Sequence, residues 1–260
     1  MPGLGFPEVK VSGKVARPGR WVFAAAAGAG VAAAVVARLR AWRNQGQPDA
    51  PADIAFMRAL HAALRRDLAR LKDVAGQLDD AAAPRTVLAG WDEFRAQLEN
   101  HHSAEDDDLW PVLRGELSDA GELASVDAMV EEHQHLPAAL AAVDAGMRGG
   151  GGLTEPVEAL SVVLLDHLAH EEREVLPLIE QHMTEAQWRA FLRTERTRRS
   201  ARERPGFLAW ILDQASDRDA AAVLGEMPAP VHLVYRRLLK PRYDAQHRWQ
   251  LPGPPGEGSE

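Results

Sequence analysis

The sequence predicts an all-α protein: an up-down-up-down four-helix bundle with additional C-terminal helices and an N-terminal hydrophobic helix. Three observations carry this. Apolar residues make up 46% of the 260, enough for a core, and alanine is abundant while no run of alternating β-branched residues suggests a strand. Four long stretches carry apolar residues at three- and four-residue spacing and are joined by short connections, the pattern of bundle helices. Two of these stretches repeat one motif in register. HHSAEDDDLWPVL (His101 to Leu113) and HLAHEEREVLPLI (His167 to Ile179) each hold a His, a Glu four residues later, and a Pro six after that.

Residues 1–20, rich in Gly and Pro, read as disordered. Trp21 to Ala37 is an uncharged run, bracketed by Arg20 and by Arg38, Arg40 and Arg43. At ~1.5 Å per residue such a helix reaches roughly 26 Å, slightly short of a ~30 Å hydrocarbon layer. Its readings are a membrane anchor, a signal-type segment, or an Ala-rich helix packed on the body or a partner. Basic residues at both ends do not orient it, and no clear small-residue cleavage pattern follows it. Asn44 to Pro51 (NQGQPDAP) is a linker by composition.

The first bundle helix is expected to open at Asp53, an N-cap, and run to about Asp80, burying Ile54, Met57, His61, Leu64, Leu68 and Leu71. The second starts at Pro84, suited to a first turn, with a face of Val87, Trp91, Phe94, Leu98, His101, Glu105 and Val112. The third follows Ser118 and buries Val126, Met129, His133, Leu136, Leu140 and Val143, ending before Gly149–Gly152. The fourth opens at Thr154 with Pro156 behind it and buries Leu160, Leu164, His167, Glu171, Val175 and Leu178. These helices span a bundle at 53–182. An extension at 184–250 opens on a capping box, Thr184 to Gln187, carries a basic run from Arg193 to Arg204, and adds shorter apolar helices; the tail 251–260 reads as disordered.

Each bundle helix places one His inside its apolar stripe: His61, His101, His133 and His167. Two of them add a Glu at i+4, which a helix sets beside the His on the same face. An unpaired buried polar group costs a few kcal/mol, and a carboxylate more. A folding core keeps four imidazoles and two carboxylates only if something satisfies them: hydrogen bonds to one another, or metal ions. Any one such His is more often an ordinary core residue; the set, one per helix with paired acids, favours metal. With no cysteine in the chain, ligands must be His and carboxylate, a donor set suited to iron, manganese or zinc. Six ligands exceed one tetrahedral zinc with an open position. Two glutamates on two helices can bridge two ions that the histidines cap from outside. The reading is therefore a dinuclear centre, with two iron ions first and manganese or zinc as substitutes.

The pattern His61 … His101-x-x-x-Glu105 … His133 … His167-x-x-x-Glu171 resembles the hemerythrin-like, or HHE cation-binding, family over residues 53–182. The segments after it, from MTEAQWRAF on, resemble the C-terminal extension of bacterial, particularly actinobacterial, members. The resemblance implies a di-iron site bridged by Glu105 and Glu171, and roles in binding dioxygen, sensing oxygen or iron, responding to nitric oxide, or decomposing peroxide. One position departs from the pattern. Oxygen-carrying hemerythrins have a second His four residues after the third-helix His, and here that place is Pro137. His102, Asp106, His170 and Glu172, each beside a matched ligand, are candidates to fill it. The deficit disfavours a reversible oxygen carrier and favours a reactive or sensing site.

The first functional expectation is thus a di-iron protein that binds or senses iron, oxygen or nitric oxide. The second is an enzyme using the same site on peroxide or nitric oxide, and the third a structural bundle with a hydrogen-bonded histidine core. The expected partner is a small diatomic or peroxide ligand. Nucleic acid is disfavoured, because the −8 formal charge hides a basic first fifty residues and leaves an acidic body. The expected location is cytoplasmic, with a tether if 21–37 enters a membrane. The acidic run Glu105–Asp108, apart from Glu105, reads as a solvated face, and the Arg run as surface helix. His135, His182, His232 and His247 read as ordinary polar positions. Gly149–Gly152 lacks the Lys and Ser/Thr of a phosphate loop.

Overall fold

The computed structural model describes residues 51–78, 82–149, 152–200, 203–225 and 227–251, all within one compact unit, Gly46–Glu260. The hydrophobic run 21–37 and the tail from 252 lie outside the described residues. The described residues are helical, with no regular strand and one isolated antiparallel bridge, Pro51 to Thr184. None of their helices is long and apolar enough to cross a membrane.

Helix α1 is Ala55–Leu78. Asp53 accepts a hydrogen bond from the Ala55 N–H at 3.0 Å, which meets one of the free donors of the first turn. The second bundle rod is composite: α2 (Arg85–Ala104), a π-helical turn π1 (Glu105–Leu109) and α3 (Trp110–Glu116). The fourth has the same build: α6 (Thr154–His170), π2 (Glu171–Val175) and α7 (Leu176–His182). In both, the residue after the π turn bonds five residues back, Trp110 N–H to the Glu105 carbonyl and Leu176 N–H to the Glu171 carbonyl. The repeated prolines follow at once. Pro111 and Pro177 have no N–H to give an α-helical ladder and would crowd the carbonyl four back. The wider π turn accommodates both deficits.

The third rod is two helices, α4 (Ala120–His133) and α5 (Leu136–Gly149), where the sequence pattern predicts one. Asp119, one residue after the expected Ser118, caps α4 by accepting from Gly121 N–H at 2.8 Å and Glu122 N–H at 3.1 Å. The chain breaks at Gln134–His135 because Pro137 cannot donate to His133 and disfavours helical geometry at the residue before it. The buried face survives the break: Val126, Met129, His133, Leu136, Leu140 and Val143 are all inside.

Two apolar clusters fill the bundle. One holds Leu60, Leu64, Leu98, Leu136, Leu140, Leu164 and Leu168; the other holds Ile54, Met57, Ala104, Leu109, Val126, Met129 and Val175. On every rod at least one expected polar residue falls between a member of one cluster and a member of the other. His61 lies between Met57 and Leu64, His101 between Leu98 and Ala104, His133 between Met129 and Leu136, and Glu171 between Leu168 and Val175. The core is therefore cut by one polar layer.

The extension closes both ends. Helix α8 (Glu185–Arg198) opens on the predicted capping box, with Gln187 N–H bonded to the Thr184 hydroxyl and the Gln187 side chain accepting from Thr184 N–H at 2.8 Å. Its Trp188 and Phe191 join the cluster around Met57. Helices α9 (Arg204–Ile211), α10 (Asp217–Gly225) and α11 (Ala229–Val234), the turn π3 (Tyr235–Leu239) and α12 (Lys240–Asp244) supply Trp210, Val223 and Tyr243 to the other cluster. Asp67 on the outer side of α1 anchors them: it is buried, accepts from Trp210 Nε1 at 2.7 Å, and pairs with Arg66 and Arg70 at 3.0 Å each.

Candidate metal centre

The six residues expected in the layer are all buried there, and they form two groups. In the first, His61, His101, Glu105 and Glu171 each bring a donor atom within 4.8 Å of the others. His61 Nε2 lies 3.2 Å from His101 Nε2 and 3.1 Å from Glu171 Oε2. In the second, His133 and His167 are joined by His102, again within 4.8 Å. His133 Nε2 lies 3.2 Å from His167 Nε2, and the His102 ring stacks on His133 at 4.1 Å between centroids.

Glu105 reaches both groups. Its Oε1 is 3.3 Å from His101 Nδ1 and its Oε2 is 3.6 Å from His133 Nε2. Despite these approaches, neither oxygen of Glu105 nor either oxygen of Glu171 has a hydrogen-bond partner, though all four are buried. The fold thus holds two fully buried carboxylates, Glu171 with only the ion-pair contact to His61 and Glu105 with only long approaches to His101 and His133, an arrangement that costs free energy unless a cation engages the remaining lone pairs. Acceptor-only oxygens among inward imidazole nitrogens suit cations. The donor set therefore fits metal-ion binding.

The outer face of the layer fixes ring orientation. Glu172 bonds His61 Nδ1 at 2.9 Å and is itself clamped by Arg65 at 2.6 and 3.1 Å. Asp106 bonds His133 Nδ1 at 2.8 Å. Glu132 bonds His167 Nδ1 at 2.9 Å and His170 Nδ1 at 2.6 Å. Each carboxylate holds Nδ1 outward, which leaves Nε2 facing in, the arrangement by which carboxylates orient metal-binding imidazoles.

The electrostatics follow from burial and proximity. Burial pushes Glu105 well above the usual carboxylate range, and the neighbouring Glu171 pushes it further. Burial acts the same way on Glu171, but His61 beside it, with His167 and His133, outweighs this and holds it low. Burial would lower His61; the charges of Glu171 and Glu172 overcome that and raise it to about 9. His101 and His102 are driven well down by burial and by the surrounding imidazoles, and His167 is lowered by burial as well. Neutral imidazoles are the form that binds cations.

Of the four groups considered for the place at Pro137, only His102 lies in the layer. Asp106, His170 and Glu172 are spent on outer hydrogen bonds. Pro137 itself is exposed, since the break before it turns it out of line with His133. His135 and His247 are exposed, His182 lies 3.3 Å from Glu122, and His232 bonds backbone carbonyls. The acidic run is not simply solvated: Asp107 and Asp108 pair with Arg198 at 3.0 and 2.6 Å, tying π1 to α8. Within the Arg run, Arg199 is buried, donates to Gln97 at 3.0 Å and covers the Phe207 ring at 3.9 Å. Sequence reasoning missed Glu132 altogether. It precedes one cluster histidine but serves another on a different rod, so no local spacing marks it.

A pocket of about 320 Å³ meets the second group from the side of α2 and α5. His102, His133 and Asp106 line its floor region, Leu136, Pro137 and Leu140 its wall, and Arg95, Glu99 and Asp144 its polar rim. Arg95 and Asp144 are paired across that rim, and Asp144 also accepts from Trp91 Nε1 at 2.6 Å.

A family model of the hemerythrin HHE cation binding domain matches residues 52–179. No curated protein and no solved structure matches the chain.

Proposed function

Through residues 52–179 this chain belongs to the hemerythrin HHE cation-binding family, and we propose that its polar layer holds two iron ions and binds or senses a small ligand such as dioxygen, nitric oxide or peroxide. The single observation behind this reading is Glu105: one oxygen lies at each histidine group, and neither has another partner. In this assignment His61, His101, Glu105 and Glu171 hold one ion, while His133 and His167 serve the second, with both glutamates shared. Iron is preferred for its fit to imidazole and carboxylate without thiolate, and manganese or zinc can occupy the same donors. When bound, iron supplies redox chemistry and open positions for small ligands. The chain's own part is to aim Nε2 of His61, His133 and His167 inward, through Glu172, Asp106 and Glu132, and to flank the layer with apolar clusters on both sides.

The pocket against His102 and His133 favours a second reading, an enzyme that decomposes peroxide, because it leads a small polar molecule from the rim at Arg95 and Asp144 to the layer. Metal analysis after anaerobic reconstitution with ferrous iron tests the first step, with an expected stoichiometry of about two ions per chain. Less than about one iron per two chains overturns the di-iron reading. Oxygen release on adding hydrogen peroxide to the loaded protein supports the enzyme; bleaching of the visible spectrum without oxygen release rejects it.

A further inference from the structure

We propose that His102 is the remaining imidazole ligand of this centre, supplied by the second rod in place of the third-rod histidine whose position falls at Pro137. The proposal rests on the two-ion reading above and deepens it. Four observations support it. His102 is buried and its Nε2 has no hydrogen-bond partner. It offers a donor within 4.8 Å of donors from His133 and His167, the group otherwise one nitrogen short. Its ring stacks on His133 at 4.1 Å, so the two rings reach the layer side by side. The rival groups, Asp106, His170 and Glu172, are occupied by hydrogen bonds to Nδ1 atoms or to Glu132.

The backbone explains how adjacent residues serve both groups. His101 and His102 are neighbours on α2, so their side chains leave the helix about 100° apart. His101 takes the side toward His61, at 3.2 Å, and His102 the side toward His133. On the third rod the chain turns at Gln134–His135, and the next inward residue is Leu136. The nitrogen missing from that rod is thus replaced from across the interface. A consequence follows for access. Where a bulky imidazole would close the centre from α5, the wall is Leu136 and Pro137, and the pocket reaches the second group there.

The test uses the full chain with ferrous iron or cobalt(II) under anaerobic conditions. By calorimetric titration, wild type binds two ions, while His102→Gln keeps the site at His61, His101, Glu105 and Glu171 and loses at least ~10-fold in affinity at the other. His102→Gly gives the same loss, and added imidazole restores the second ion, which a purely structural role does not produce. Circular dichroism checks that both variants fold. Independently of any variant, the cobalt-loaded wild type has a paramagnetically shifted exchangeable proton for His102 as well as for His61, His101, His133 and His167. Two wild-type-like sites in both variants, or a shifted set lacking His102, overturn the proposal. Wild type that binds no metal overturns instead the reading beneath it.

Discussion

Glu105→Leu has opposite effects on the protein with and without metal, and the sign is fixed by the structure. Glu105 is fully buried and neither of its oxygens finds a hydrogen bond. Without a cation, burial and the neighbouring Glu171 both oppose its charge, and leucine of similar size removes both costs. Replacing buried charged groups that lack good partners with apolar ones of similar volume ranges from neutral to stabilising by about 1–4 kcal/mol. For a chain of this size that is roughly 2–4 °C in Tm per kcal/mol, so the metal-free variant melts up to several degrees above metal-free wild type. With metal the order reverses. An ion at ~100-fold its Kd adds about 2.7 kcal/mol to wild type, and on the proposed assignment the variant lacks the carboxylate shared by the two ions. The comparison also depends on pH. The pKa of Glu105 is raised in the fold, so its contribution is complete below its ordinary value of 4.5 and is lost as pH rises toward the folded value. The metal-free advantage of the variant therefore grows from acid toward neutral pH. Differential scanning calorimetry in chelator, and then with zinc to avoid redox chemistry, measures both arms. A metal-free variant that melts below wild type, together with an undiminished zinc increment, refutes the reasoning.

Three other outcomes are expected. Bound metal is released on acidification, because protons compete for the buried imidazoles, and metal analysis after dialysis at stepped pH measures this. Asp67→Ala leaves the buried Trp210 indole N–H without its acceptor and removes one of the partners of Arg66 and Arg70, which keep Asp213, and destabilises the chain by about 1–3 kcal/mol without changing metal stoichiometry; denaturant unfolding followed by Trp fluorescence reads it. Gly90→Ala puts a Cβ 2.5 Å from the Trp249 ring. The helix gain of up to ~1 kcal/mol is then outweighed by displacement of Trp249 from α2, at about 1–3 kcal/mol, which faster proteolysis of the C-terminal segment detects.

The sequence was most legible where a residue's face decides its fate. Every apolar residue named for the first rod, Ile54 through Leu71, is buried, and so is His61. The inward histidines and glutamates were legible for the same reason, since a polar residue in an apolar stripe is anomalous whatever the tertiary fold. What escaped was contact between rods. His102 sits beside His101, so helical periodicity alone could assign it only to the edge of a face. Glu132 serves His167 on another helix. Arg199 sits in a run of exposed-looking cations, yet its guanidinium is buried over Phe207. In each case the deciding partner lies far along the chain.

The one misread face has a cause that reaches the centre itself. Val112 was expected inside and is 40% exposed, while Leu109, Trp110 and Leu113 are buried. The π turn at Glu105–Leu109 inserts one residue into the α-helical count, so the buried face beyond it moves by one position. After Glu171 the face widens instead: Leu176 and Ile179 are buried beside Val175, and Leu178, the counterpart of Val112, stays inside. Both π turns begin on the carboxylate and are followed by the proline that makes an α-helical ladder costly. The His-x-x-x-Glu pair upstream stays in α-helical register, so imidazole and carboxylate remain stacked. The rod downstream is rotated to bury a different set of apolar residues under the layer. A third proline, Pro241, follows π3 at the same distance, in the extension and far from any His–Glu pair. Proline thus suffices to account for the π turn, and the chemistry comes from what the sequence places at its first residue.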